Sequence, residues 1–137
     1  MRELKQTGGK GVKCMRTIKS LDELEMPTNH KIYLRHLLGY LGTYSKIDKI
    51  LLFGSCAKGT ATSKSDIDLF LLGAEINDQD EFDIAWDCPK WEGGGHISCD
   101  ILSNTHETYA AMSKVPGMVQ YSIELRGVDL SGLLQAR

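Results

Sequence analysis

The apolar positions of this chain follow two rhythms. Ile50–Phe53 and Ile67–Leu72 are short, almost unbroken apolar runs of strand length, and they predict strands over about 49–53 and 67–72. His96–Leu102 alternates instead, with Ile97, Cys99 and Ile101 on one face and Ser98, Asp100 and Leu102 on the other, which predicts a third strand. Helical spacing joins Ile32, Leu34, Leu37, Leu38, Leu41 and Tyr44, so a helix is expected over about 29–45, with Thr28 and Asn29 as possible caps. Gly39 and Gly42 weaken it, and close packing on the sheet is the expected reason. After Asn77, a cap candidate, Phe82, Ala85 and Trp86 form an apolar stripe that Pro89 ends. Asn104–Glu107 matches a capping box, opening a helix to about 114. Pro116 opens another through about Leu125, with Met118, Tyr121, Ser122 and Leu125 on one side and Gly127 at its stop. Val128–Leu130 is a candidate final strand. Gly93–Gly95 reads as a hairpin-like connection. The sum is an α/β (α+β) fold, a small mixed sheet with helices packed on one face.

The stretch between the first two strands carries the chemistry. Gly54-Ser55 follows the first strand, a loop rich in Lys, Thr and Ser comes next, and Asp66-Ile67-Asp68 enters the second strand. Strand alternation sends Asp66 and Asp68 to one face. Two carboxylates side by side repel unless a cation sits between them, and oxygen ligands of this kind suit magnesium. The Gly-Ser turn exposes backbone N–H groups and a hydroxyl for phosphate, with Ser55 as the expected cap of a short helix over 56–60 and Lys58 adding positive charge. A phosphate cradle beside a metal clamp describes a site for a nucleoside triphosphate with its metal.

The blocks FGS at Phe53–Ser55, Lys58-Gly59 and SDIDL at Ser65–Leu69, in their strand context, resemble the signature of the polymerase-beta-like nucleotidyltransferase superfamily, and the short chain is most similar to its minimal nucleotidyltransferase branch. The resemblance spans roughly residues 30 to 130. It implies that Gly54, Ser55, Lys58 and Ser65 contact the nucleotide, and that Asp66 and Asp68 hold magnesium. It also implies a third acidic residue on a neighbouring strand, for which Asp100 is the candidate, completing a two-ion site and drawing the proton from the acceptor hydroxyl. The implied reaction moves a nucleoside monophosphate, AMP from ATP by analogy, to a hydroxyl and releases pyrophosphate. In the resembled branch the acceptor can be a tyrosine on a small helical partner of the HEPN class, in an antitoxin role. Two other readings stand beside this one: a binding subunit that acts on a partner by contact alone, and a small-molecule transferase of the aminoglycoside-modifying kind.

Composition narrows the surroundings. The 137 residues suit one domain, and residues 1–28 are expected to be a tail or short elements ahead of a nucleotidyltransferase domain over 29–137. Residues 1–20 carry six basic residues and one acidic residue, a solvated terminus or short edge element, and 21–27 suggest a turn of helix before Pro27. A net charge of −2 argues against a general nucleic-acid binder. No apolar run approaches membrane-spanning length, and the N-terminus has no apolar leader core, so the cytoplasm is expected. Cys14, Cys56, Cys88 and Cys99 form no C-x-x-C pair, which disfavours zinc and a disulfide framework. His30 and His36 are expected as surface or packing residues. The single domain offers no acceptor site of its own, so a homodimer or a hetero-complex is expected.

Overall fold

The structure is a computed structural model, and it describes residues 15–134. Cys14 and most of the basic N-terminal stretch lie outside the described residues. Five strands form one mixed sheet: β1 (Arg16–Thr17), β2 (Lys49–Phe53), β3 (Ile67–Leu72), β4 (Cys99–Asn104) and β5 (Val128–Asp129), in the spatial order β1-β5-β2-β3-β4. The helices are α1 (Thr28–Leu41), α2 (Ser55–Lys58), α3 (Asp78–Asp87), α4 (His106–Met112) and α5 (Val119–Arg126). This is the α+β fold expected from the alternating runs. β2 pairs antiparallel with β3, and β3 pairs parallel with β4. The C-terminal end of β2 and the N-terminal ends of β3 and β4 therefore share one end of the sheet.

The period-two rhythm of β3 divides its side chains between two apolar clusters. Ile67, Leu69 and Leu71 join Ile50 and Leu52 of β2 and the buried Leu34, Leu37, Leu38 and Leu41 of α1. Phe70 and Leu72 point the other way, into a smaller cluster with Leu51, Tyr109 of α4 and Ile123 of α5. Helices thus cover both faces, not one: α1 and α3 the first, α4 and α5 part of the second.

Several boundaries differ from the expected ones for local reasons. α1 begins after Pro27, which takes the cap position without a side-chain hydrogen bond, and it ends at Leu41 with Gly42 at the C-cap. Gly39 is exposed with open space where a Cβ would stand, so close packing does not explain it. The third strand starts at Cys99, where pairing with Ile67 begins, not at His96. Gly93–Gly95 is no hairpin, because β4 runs parallel to β3; the loop folds against Trp91, whose Nε1 donates to the Gly94 carbonyl at 3.0 Å. Thr105 rather than Asn104 caps α4, accepting the Thr108 amide. α5 begins at Val119, with Met118 at the cap, and buries Gln120 and Ile123 in place of the expected side.

α3 has the expected Asn77 cap, closed by Asp80 into a capping box. Its apolar stripe is elsewhere: Ile84 is buried, while Phe82 and Trp86 stand 60% and 73% exposed and stack on each other with ring centroids 6.0 Å apart. Both lines obey helical spacing, and packing beside β4 selects the one through Ile84 and Cys88. At the N-terminal side, β1 pairs parallel with β5, a 3-10 turn over Leu21–Glu23 is capped by Ser20, and Ile18, Leu21 and Leu24 enter the main core. The packed unit accordingly begins before residue 29. No helix among the described residues is long and apolar enough to cross a membrane.

Candidate active site

The sequence-predicted residues gather at the shared end of β2, β3 and β4. Ladder register sets Asp68 between Phe53 on β2 and Asp100 on β4. Asp68 and Asp100 are therefore directly opposed on the sheet face that α4 and α5 leave open at this end. Burial, the neighbouring charge of Asp100 and a hydrogen bond between the two carboxyls push Asp68 up to about 6, and the charge of Asp66 adds to the rise. Asp66 lies just outside β3 and is exposed, as is Asp100.

Gly54 makes room for this pair. Its φ is +75°, in the region that L side chains avoid, and a Cβ there would collide with Asp68 Oδ2. Gly54 rather than Ser55 occupies the cap position of α2, and Ser55 is the helix's first residue, so the expected side-chain cap is absent. The Gly54 carbonyl accepts the amides of Ala57 and Lys58, while the first-turn amides of Ser55 and Cys56 have no helical acceptor. Cys56 is fully buried beneath the carboxylates, its Sγ 3.5 Å from the Asp66 carbonyl. Burial, then the charges of Asp68 and Asp66, push its thiol up to about 11, so it fills space as a neutral group. Ser65 serves the turn ahead of β3: its hydroxyl accepts the Thr62 amide at 2.8 Å and its own amide donates back to the Thr62 carbonyl.

Sequence reasoning missed one contributor. A small cleft of about 110 Å³ is lined by Phe53, Gly54 and Lys58 on one side and by Ser122, Arg126 and Gly127 on the other. Arg126 is exposed in the last turn of α5, four residues after Ser122 and on the same helix face. A basic residue at a helix C-terminus ordinarily answers the helix dipole. Here the fold also brings it to the mouth of the Gly54 turn, opposite Lys58, so two cations flank the place where backbone amides are free. The signal available in sequence was the Ser122–Arg126 spacing ahead of Gly127; that this face of α5 shares a cleft with Gly54 and Lys58 was not.

The donor set fits a hard divalent cation. Asp68 and Asp100 offer carboxylate oxygens whose mutual repulsion a cation would relieve, and hard oxygen donors suit magnesium. Asp66 acts on Asp68 through charge, and among the described residues no three acidic, His or Cys groups stand close enough to hold an ion as they are. The pair is thus the core of the site, with Asp66 on a turn at its rim.

The sequence profile of the family described as polymerase beta, nucleotidyltransferase, matches residues 35–110. A crystal structure of a candidate nucleotidyltransferase from Sulfolobus solfataricus is similar at 19% identity over 57% of this chain and 76% of that one, with a TM-score of 0.36. So loose a likeness carries no argument about individual residues. No protein of curated function matches significantly. The matched span includes the Gly54 turn, both ends of the Asp66–Asp68 stretch and Asp100, and it exceeds half of the chain. The chain belongs to the polymerase beta nucleotidyltransferase family.

Proposed function

We propose that this protein transfers AMP from ATP to a hydroxyl acceptor and releases pyrophosphate. The observation that carries the reading is the cross-strand pair of Asp68 and Asp100, with Asp68 seated against Gly54, where any Cβ would collide with its carboxylate. Lys58, Arg126 and the first-turn amides of α2 bind and orient the β- and γ-phosphates. Asp68 and Asp100, joined by Asp66 from the turn at their rim, would hold magnesium, which would supply positive charge against the triphosphate and the reacting oxygens. The acceptor oxygen bonds to the α-phosphorus, and the bond from that phosphorus to the pyrophosphate oxygen breaks. The acceptor's proton passes to a carboxylate oxygen of Asp100, which is exposed and within reach of an incoming group.

The exposure of Asp100 on the outer strand β4 supports an acceptor carried by a separate molecule. A tyrosine hydroxyl on a helical HEPN-type partner is our specific proposal, from the resemblance to the minimal branch. The reading is tested by ATP calorimetry with and without magnesium on the native chain and on Asp66→Asn/Asp68→Asn, followed by a pyrophosphate-release assay with the partner. Binding that needs both the metal and the carboxylates, with pyrophosphate released only when acceptor is present, is expected. Full turnover in a clean Asp68→Asn preparation would sink the mechanism. Equal partner binding without nucleotide, with no pyrophosphate ever released, would instead favour action by contact alone.

A further inference from the structure

Two clefts meet at the loop ahead of β4. One, of about 580 Å³, lies beside the turn that carries Asp66, between the first turn of α1, Lys64 and Gly94–Ile97. The other, of about 470 Å³, is walled by Tyr33, Lys90, Trp91 and the residues from His96 to Asp100. His96 and Ile97 belong to both, so one trough leads from α1 to the carboxylate site. Its floor is fixed. Trp91 donates its indole N–H to the Gly94 carbonyl at 3.0 Å, and a Cβ on Gly93 would collide with its ring, so the glycine loop lies against the indole. Tyr33, its ring centroid 6.0 Å from that of Trp91, donates its hydroxyl to the Pro89 carbonyl at 2.8 Å. Both aromatic residues thus have their polar ends engaged, and the half-buried Trp91 offers ring surface to a ligand.

Two further features define that ligand. The first is His30, which is only 1% exposed yet lines the trough. Its Nε2 is 2.8 Å from the Ser65 carbonyl, so that nitrogen carries the proton and donates. Its Nδ1 is then an acceptor, and it is buried without any partner. A buried acceptor left unpaired is costly, and the group that satisfies it is an N–H or an O–H. The second is charge. Lys64 and Lys90 border the trough, both exposed, and Asp100 is the only carboxylate among the residues that line it. That balance disfavours a polycationic acceptor and favours one with negative charge beside its reacting hydroxyl. An aromatic ring, N–H donors and carboxylates occur together in an acidic stretch of polypeptide that carries a tyrosine. Each cleft alone has the volume of a small-molecule site, and the joined pair has room for several residues.

We propose, resting on the reading of a separate tyrosyl acceptor given above, that this trough seats the acceptor as an extended acidic segment of a partner protein. The tyrosine ring lies on Trp91 with its hydroxyl at Asp100, and a neighbouring backbone N–H donates to His30 Nδ1. The tyrosyl oxygen bonds to the α-phosphorus, its proton passes to Asp100, and pyrophosphate leaves. On this assignment the domain carries part of the acceptor site itself. The test is a proton–nitrogen NMR titration of the full chain, with chelator and without nucleotide. The probes are the capped peptides acetyl-Glu-Glu-Tyr-Glu-Glu-amide and acetyl-Lys-Lys-Tyr-Lys-Lys-amide. Saturable shifts are expected at the amides of Gly94, Gly95, His96 and Ser98 and at the His30 Nδ1 resonance, with the acidic peptide roughly tenfold tighter. Lys64→Gln/Lys90→Gln changes only exposed side chains, so the fold should hold, yet acidic-peptide binding should weaken roughly fivefold, with magnesium–ATP affinity as in the native chain. In a pyrophosphate-release assay the same variant should raise the KM of the acidic peptide and leave kcat. Those shifts without any pyrophosphate release would support the trough and sink the transfer reading. Transfer to a peptide whose KM ignores both lysines would overturn the trough alone. Shifts confined to residues 54–58, equal affinity for the two peptides, or an unmoved His30 Nδ1 would likewise overturn it.

Discussion

The two faces of β3 are built from one hexapeptide and do opposite things. Ile67, Leu69 and Leu71 are sealed under α1, all fully buried. Asp68, Phe70 and Leu72 face the other way, and only the last two are closed over, by α4 and α5. The sealed face is satisfied as it stands. The open end of the other face holds two opposed carboxylates, and Asp100 raises the affinity of Asp68 for its proton. A strand's period of two lets scaffold and chemistry alternate residue by residue, so that one can be damaged while the other is spared.

That separation can be broken from either side. The largest effect is expected from Asp68→Asn, which should lower pyrophosphate release about a thousandfold, the scale of removing a charge that faces the reacting centre, while the protein stays folded. Leu69→Ala, one residue away, should do the reverse. A cavity at this fully buried position should cost about 3 kcal/mol in urea unfolding, and turnover per folded molecule should hold. Gly54→Ala belongs to both sides. The left-handed backbone and the collision with Asp68 should cost about 2 kcal/mol and should also displace the carboxylate, so stability and activity should fall together.

A subtler effect separates the faces by pH. The Asp68 carboxyl titrates near 6 in the fold against an ordinary value of 3.8, so the folded chain holds its proton more tightly than the unfolded chain does. That contribution to stability is whole below the ordinary value and is lost as pH rises through 6. Asp68→Asn stays neutral throughout. In chelated buffer it should match the native chain in strongly acidic solution and exceed it at neutral pH by about 1 kcal/mol, after allowance for solvent screening. Thermal melts across that range would show it, and magnesium should stabilise the native chain but not the variant. The smallest effect is expected at Trp86→Ala: this ring is 73% exposed, and its loss should change stability by no more than about 0.5 kcal/mol.

What could be read from sequence follows the same division. β2 and β3 were legible to the residue because their apolar runs are short and bounded by Gly54, Asp66 and Gly73. Asp68 announced its face because a strand leaves no choice, whereas Asp66 lies before the first rung of β3, where alternation no longer decides. Asp100 was legible as a candidate, but its register opposite Asp68 is set by pairing between strands that are joined through α3, and only the fold supplies it. Arg126 was passed over because only the fold brings the end of α5 to the cleft that Lys58 also lines. On α3 two apolar lines were equally periodic, and the partner strand, not the helix, decided between Ile84 and the Phe82–Trp86 pair. His30 reads as an ordinary packing residue, and only the fold sets one ring nitrogen on the Ser65 carbonyl and leaves the other buried without a partner.

The crossover from β3 to β4 has a consequence for how this protein can change over generations. Asp100 is held by six consecutive rungs against β3, not by the segment that delivers it. Lengthening such a connection is cheap, about 0.6 kcal/mol for each doubling of the loop. Insertions and substitutions along Ala74–Gly95 can thus remodel the acidic, aromatic exterior of α3 while the reacting groups keep their places. New associations can be tried on that exterior without renegotiating the chemistry.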